Sequence, residues 1–154
     1  MFKIYIFLTL SLTMIGTTEE TSKSVKDLEY GEYFLNFEKI AGKRDFALVL
    51  FCKNRELNNL DGLSTLVSQN RPIYVDLEGN KLRNIRFNER VPGIKILNFS
   101  SNEIRKVTNE DLIGLERNFP DLETLLLSKN PLSDDSREII NRFRGQYSIG
   151  IYDK

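Results

Sequence analysis

The chain has 154 residues, with 22 basic against 22 acidic side chains, no His and no Trp. That length suffices for one domain with a real core, and the charge balance gives no ground for a nucleic-acid or membrane-surface role. The absence of His removes the commonest general base and metal ligand, and a single Cys, Cys52, excludes an intrachain disulfide and Cys-rich zinc sites.

Lys3 opens the chain, Ile4 to Ile15 form an apolar run, and Gly16, Thr17 and Thr18 precede the acids Glu19 and Glu20. That order predicts a secretory signal peptide over 1–18, cut after Thr18. The run is short for a transmembrane helix, so no membrane span is expected after its removal. The competing reading is an apolar N-terminal helix buried in the fold.

Residues 19–45 are expected to form an N-terminal helical cap. Val25, Leu28, Tyr33, Phe37, Ile40 and Ala41 recur at roughly helical spacing over 21–42. Thr21 or Ser22 is placed to cap the start, and Gly31 is a weak point. Such a helix would cover the first strand edge, which invites association if left open.

Residues 46–52 (FALVLFC) predict a strand with two possible registers. One turns Phe46, Val49 and Phe51 inward with Asn54 following, and leaves Leu48, Leu50 and Cys52 on the outer face. The other buries Leu48, Leu50 and Cys52. A slip of one residue exchanges the faces, and both faces are apolar. Cys52 is expected to be an inert buried thiol; its functional reading is a free thiol pairing two chains.

Leu57, Leu60, Leu63 and Leu66 mark a helical or 3₁₀ return path over 57–71. A frame of apolar residues closed by Asn then appears three times. It holds Val75, Leu77, Asn80 and Leu82, with Pro72 at its head. It returns as Ile94, Leu97, Phe99, Asn102 and Ile104, and again as Leu122, Leu125, Leu127, Asn130 and Leu132. The alternation predicts strands at 73–78, 95–100 and 123–128, each with one face buried. Each Asn is placed to satisfy backbone groups in the turn that follows, so Asn80, Asn102 and Asn130 should stack as a ladder.

The return path after Asn80 is short and should be extended or 3₁₀. The one after Asn102 should be helical, capped by Asn109, with Leu112, Leu115 and Phe119 inward and Pro120 ending it. A last helix is expected over Ser136 to Arg144, with Ile139, Ile140 and Phe143 inward and Gly145 closing it. Ile149 and Ile151 match the first and second inward strand positions and predict a terminal strand at 147–152.

This frame resembles the leucine-rich repeat family. The resemblance covers 46–154 and implies an α/β solenoid. About five short parallel strands would line a concave face, with helices or 3₁₀ turns on the convex face. It also implies a protein-binding module with no cofactor, no metal and no catalysis. Many extracellular members carry Cys-rich caps that this chain lacks, so a secreted interaction protein stands beside a cytoplasmic adaptor.

The partner-binding candidates are the outward strand positions Tyr74, Ile96 and Thr124; Asp76, Asn98 and Leu126; and Glu78, Ser100 and Ser128. Tyr74 and Ile96 are the expected anchors. A flat face of this size presents only on the order of 400 Å², against about 800 Å² per partner in a standard interface. The strand-exit loops at Gly79, Ser101 and Lys129 are therefore expected to contribute.

Asn98-Phe99-Ser100 is a sequon, so Asn98 is a possible glycosylation site on the same face. Arg83, Arg86, Arg105 and Lys106 gather on one edge, where a solvated role outweighs docking. The acid pairs Glu110–Asp111 and Asp134–Asp135 suit helix starts. No Ser-His or Cys-His pair and no phosphate loop is present.

Overall fold

The computed structural model describes residues 22–28, 33–39, 46–144 and 150–153. The expected signal peptide over 1–18, Ile149 and Gly145 lie outside these residues. Among the described residues six strands form one sheet in chain order: β1 (Phe34–Lys39), β2 (Phe46–Phe51), β3 (Tyr74–Asp76), β4 (Ile96–Asn98), β5 (Thr124–Leu126) and β6 (Gly150–Tyr152). Three helices among the described residues lie between them, α1 (Leu63–Asn70), α2 (Asn109–Asn118) and α3 (Asp134–Arg144). The α/β class is as expected, and β2 to β6 are parallel.

The N-terminal cap is not the helix that the spacing implied. After a 3₁₀ turn at Val25–Asp27, the chain enters β1, which pairs antiparallel with β2 from Phe34↔Phe51 to Lys39↔Phe46. The open edge of β2 offers a row of unpaired N–H and C=O groups, and a second strand satisfies them where a helix cannot. The 3₁₀ turn carries its own capping box. Ser24 N–H donates to Asp27 Oδ2 at 2.8 Å, and Val25 is buried in the core.

Pairing settles the register of β2. Leu50 aligns with Val75, which aligns with Leu97, Leu125 and Ile151. Leu50 and Cys52 therefore enter the core, and the register that turned Val49 and Phe51 inward is excluded. Leu57 then falls level with Leu82, and Arg55, not Asn54, takes the place of the ladder Asn. The same alignment corrects β6: Ile151 occupies the first strand position, which the sequence reading assigned to Ile149.

The Asn ladder forms. Asn102 Oδ1 accepts from Leu82 N at 3.0 Å, while its Nδ2 donates to Leu77 O and Phe99 O, each at 3.0 Å. Asn80 accepts from Leu57 N at 3.1 Å and donates to Cys52 O at 2.9 Å. Asn130 accepts from Ile104 N at 3.0 Å and donates to Phe99 O at 2.8 Å. Each amide thus joins its own coil to the preceding one and pairs groups that a buried turn would leave open.

The residue just before each ladder position is left-handed, at Asn54 (φ 56°), Gly79 (φ 71°), Ser101 (φ 56°) and Lys129 (φ 58°). At Gly79 a Cβ would meet Asn54 Oδ1. Glycine takes the left-handed turn at no steric cost, whereas Asn54, Ser101 and Lys129 adopt it with a side chain.

The return paths follow the spacing of the frame. The coil between Asn80 and Asn102 has no helix; α1 and α2 occupy the coils on either side. Phe87 fills part of the gap, edge-on to Phe119 (ring centroids 4.4 Å apart) and to Phe99 (6.1 Å). Each such pair contributes about 0.5–1.5 kcal/mol beyond area burial. Asn118 Nδ2 donates to Phe87 O at 2.6 Å and Val91 N–H to Asn118 O at 2.7 Å, so the end of α2 fastens the extended segment.

Helix α2 is capped by Thr108 rather than Asn109. Thr108 Oγ1 accepts from Asp111 N at 3.2 Å, and Asp111 Oδ2 accepts from Thr108 N at 2.9 Å. Leu112, Leu115 and Phe119 are buried as expected. In α3, Ile140 and Phe143 are buried and Ile139 is partly covered. The inward strand positions and these helix residues share one core cluster.

Candidate functional site

The side of the sheet away from this core is formed by two rows. One runs Val49, Tyr74, Ile96, Thr124 and Gly150; the other runs Phe51, Asp76, Asn98, Leu126 and Tyr152. None of these positions belongs to the core cluster that holds the helix residues. The third row, Glu78, Ser100 and Ser128, continues in the strand exits. There Asn54 N–H donates to Glu78 O, Gly79 N–H to Ser100 O and Ser101 N–H to Ser128 O, at 2.8–3.1 Å.

All nine sequence candidates are on this side, yet none is fully exposed. Ile96 is 6 % exposed, and Asp76 and Asn98 are each 5 % exposed. Asp76 and Asn98 lie against each other, and Asn98 also reaches Tyr74. Ile96 thus offers little area as an anchor, whereas Tyr74 and Leu126 are half-buried. At the far edge Gly150 has no side chain, and the ring of Tyr152 lies across it. Tyr152 is well exposed on this side, an aromatic that the sequence reading left out. Val49, fully buried, and half-buried Phe51 stand on this side in place of Leu48 and Leu50; only the pairing with β3 could reveal that.

The polar centre is a hydrogen-bonded pair. Asn98 Nδ2 donates to Asp76 Oδ1 at 3.0 Å and lies 3.4 Å from Tyr74 Oη. Asn98 Oδ1 accepts from Ser100 N at 3.0 Å, and Asp76 Oδ1 accepts from Glu78 N at 3.1 Å. The Asn98 amide is therefore fully engaged, and its contacts in the folded chain oppose a glycan there. Burial pushes the Asp76 carboxyl above the usual carboxylate range, against the Glu78 N–H and the Lys53 charge, which pull it down. Lys53 Nζ itself sits 2.7 Å from Glu78 Oε2.

The basic edge is partly neutralised. Arg83 pairs with Glu103 at 3.2 Å and Arg86 with Asp111 at 2.7 Å, while Arg105 and Lys106 are exposed. Two clefts flank the helix-less return path. One, of about 330 Å³, is lined by Leu60, Asp61, Arg86 and Glu89; the other, of about 640 Å³, by Val67, Ile73, Arg71 and Arg90. Among the described residues no group of three or more His, Cys, Asp or Glu is placed to hold a metal, and no helix is long and apolar enough to cross a membrane.

No protein-family model matches the chain, and no curated protein matches it. Among solved structures, a chain in the crystal structure of the Drosophila melanogaster SNF/U2A' complex is similar, with a TM-score of 0.56 and 20% sequence identity. The likeness covers 75% of this chain and 62% of that one. It is a likeness of fold, and it supports the leucine-rich-repeat-like architecture read from the Asn frame.

Proposed function

We propose that this chain is a non-catalytic protein-binding module, built as a leucine-rich-repeat solenoid, that docks a protein partner on the open face of its sheet. One observation carries the reading. A parallel sheet normally has both faces covered, and among the described residues the helices α1, α2 and α3 pack with the inward positions. Tyr74, Leu126 and Tyr152 remain accessible on the other face. The similarity to a chain from a protein complex agrees with such a role. The half-buried strand-exit residues Gly79 and Ser101, and exposed Lys129, extend the face beyond the strands.

The test is capture of interacting proteins by the intact chain and by Tyr74→Ala, Leu126→Ala and the edge variant Lys106→Ala. The reading expects one protein to be lost from both face variants and kept by the edge variant. Loss from Lys106→Ala alone would move the site to the basic edge.

The reading includes secretion, on the strength of the Lys3, apolar-run and small-residue order over 1–18. A cytoplasmic adaptor is the second reading, favoured by the single buried thiol and the absence of Cys-rich caps. Intact-mass analysis of the native protein separates them: a start near Glu19 supports secretion, and an uncut Met1 supports the adaptor.

A further inference from the structure

We propose that the open face takes a basic side chain, Arg or Lys, from its protein partner, with the Asp76 carboxylate as counter-ion. The proposal rests on the docking reading above and adds the chemistry of what docks.

Asp76 lies on β3 between Phe51 on β2 and Asn98 on β4. Its Oδ1 accepts both hydrogen bonds that reach the carboxylate, from Asn98 Nδ2 at 3.0 Å and Glu78 N at 3.1 Å. These two donors come from different directions and fix the carboxylate plane. Oδ2 accepts none from the described residues. A carboxylate on a residue only 5 % exposed keeps few waters, and a cation brought from outside offsets the lost hydration.

The neighbouring charges do not supply this cation. Lys53 bonds Glu78 at 2.7 Å, so its one charge is shared between two carboxylates, Glu78 and Asp76. Asp76 therefore leaves this part of the face with one net negative charge, which selects a cation over an acidic or neutral group. Half-buried Phe51 and Tyr74 flank it with aromatic surface. The aliphatic stem of Arg or Lys packs on such surface while its head meets the carboxylate.

The test pans a displayed library of short random peptides against the full chain. Enriched peptides should share an Arg or Lys, and Asp76→Asn should weaken their binding about tenfold or more, as truncating a buried charge pair does. Glu78→Gln, at the rim, should change it by no more than about twofold. Thermal unfolding of Asp76→Asn checks that the variant is folded. Enriched peptides that lack a cation but lose binding with Tyr74→Ala would overturn this proposal and leave the docking reading standing. Peptides indifferent to Tyr74→Ala, Leu126→Ala and Asp76→Asn would overturn both, and so would a library from which nothing is enriched.

Discussion

Asn98 on β4 donates to Oδ1 of Asp76 on β3 at 3.0 Å, so a carboxylate and an amide meet on the face opposite the helices. Both groups are buried. The pair orders the middle of the face and leaves the carboxylate poorly hydrated.

The pH dependence of Asp76 follows from that burial. Its folded pKa lies above the unfolded value of 3.8. The folded state therefore carries a penalty at neutral pH, which fades as the pH falls through the folded value and is gone below the unfolded one. Asp76→Asn should be at least as stable as the parent at pH 7, and its advantage should vanish in acid. Melting temperatures of the two proteins across pH check this; a variant less stable at pH 7 would contradict it.

Asn102→Ala should cost about 2–3 kcal/mol, because it strips partners from the Leu82 N–H and from the Leu77 and Phe99 carbonyls. Asn98→Ala should also be costly, since the amide is buried and bonded rather than displayed to solvent. Denaturant midpoints with unchanged slopes give both values. A harmless Asn102→Ala would mean that the ladder does not hold the coils together.

At the start of α2, burial raises the Asp111 carboxyl, but hydrogen bonds from Arg86 and Thr108 outweigh it and hold the group below its usual range. A depressed folded pKa contributes stability above the unfolded value and loses it as the pH falls through the folded one. Thr108→Ala should cost about 1 kcal/mol. Arg86→Ala should raise the Asp111 pKa, which carboxyl-resolved NMR titration reads directly.

The last strand is fastened by Asp153. Arg144 Nη2 donates to Asp153 Oδ1 at 2.8 Å, and Arg137 approaches Oδ2 at 3.5 Å. Asp153→Ala should loosen β6 with little change in the other strands. Amide hydrogen exchange should speed up at Gly150 and Leu127, which donate across the β5–β6 pairing to Glu123 O and Tyr152 O. Unchanged exchange at both would show that the pairing holds without the ion pairs.

Cys52 is fully buried, and burial pushes its thiol up to about 12. It should resist alkylation at pH 8 in the native protein and react fully in denaturant. Rapid native labelling, or a disulfide-linked pair of chains, would restore the thiol-pairing role that its burial opposes.

The Asn frame was legible because it is local chemistry. An apolar alternation closed by Asn states which residues face inward and where the turn needs an amide, and Asn80, Asn102 and Asn130 all do that work. The helix-less coil before Asn102 was legible too, because too few residues separate Leu82 from the next strand to fit a helix.

Tertiary structure alone decided the rest. FALVLFC is apolar on both faces, so no pattern chose between its registers; pairing of Leu50 with Val75 chose. The spacing in 21–42 favoured a helix, but the unpaired edge of β2 drew residues 34–39 into a strand. For the candidate site, alternation placed Tyr74, Asp76, Ile96 and Asn98 on one face correctly. It carried no information on how deeply they lie, because that depends on side chains of adjacent strands that are distant in sequence. The face of Asp76 follows from its position along the strand, whereas its burial and its bond to Asn98 exist only once β3 and β4 are side by side.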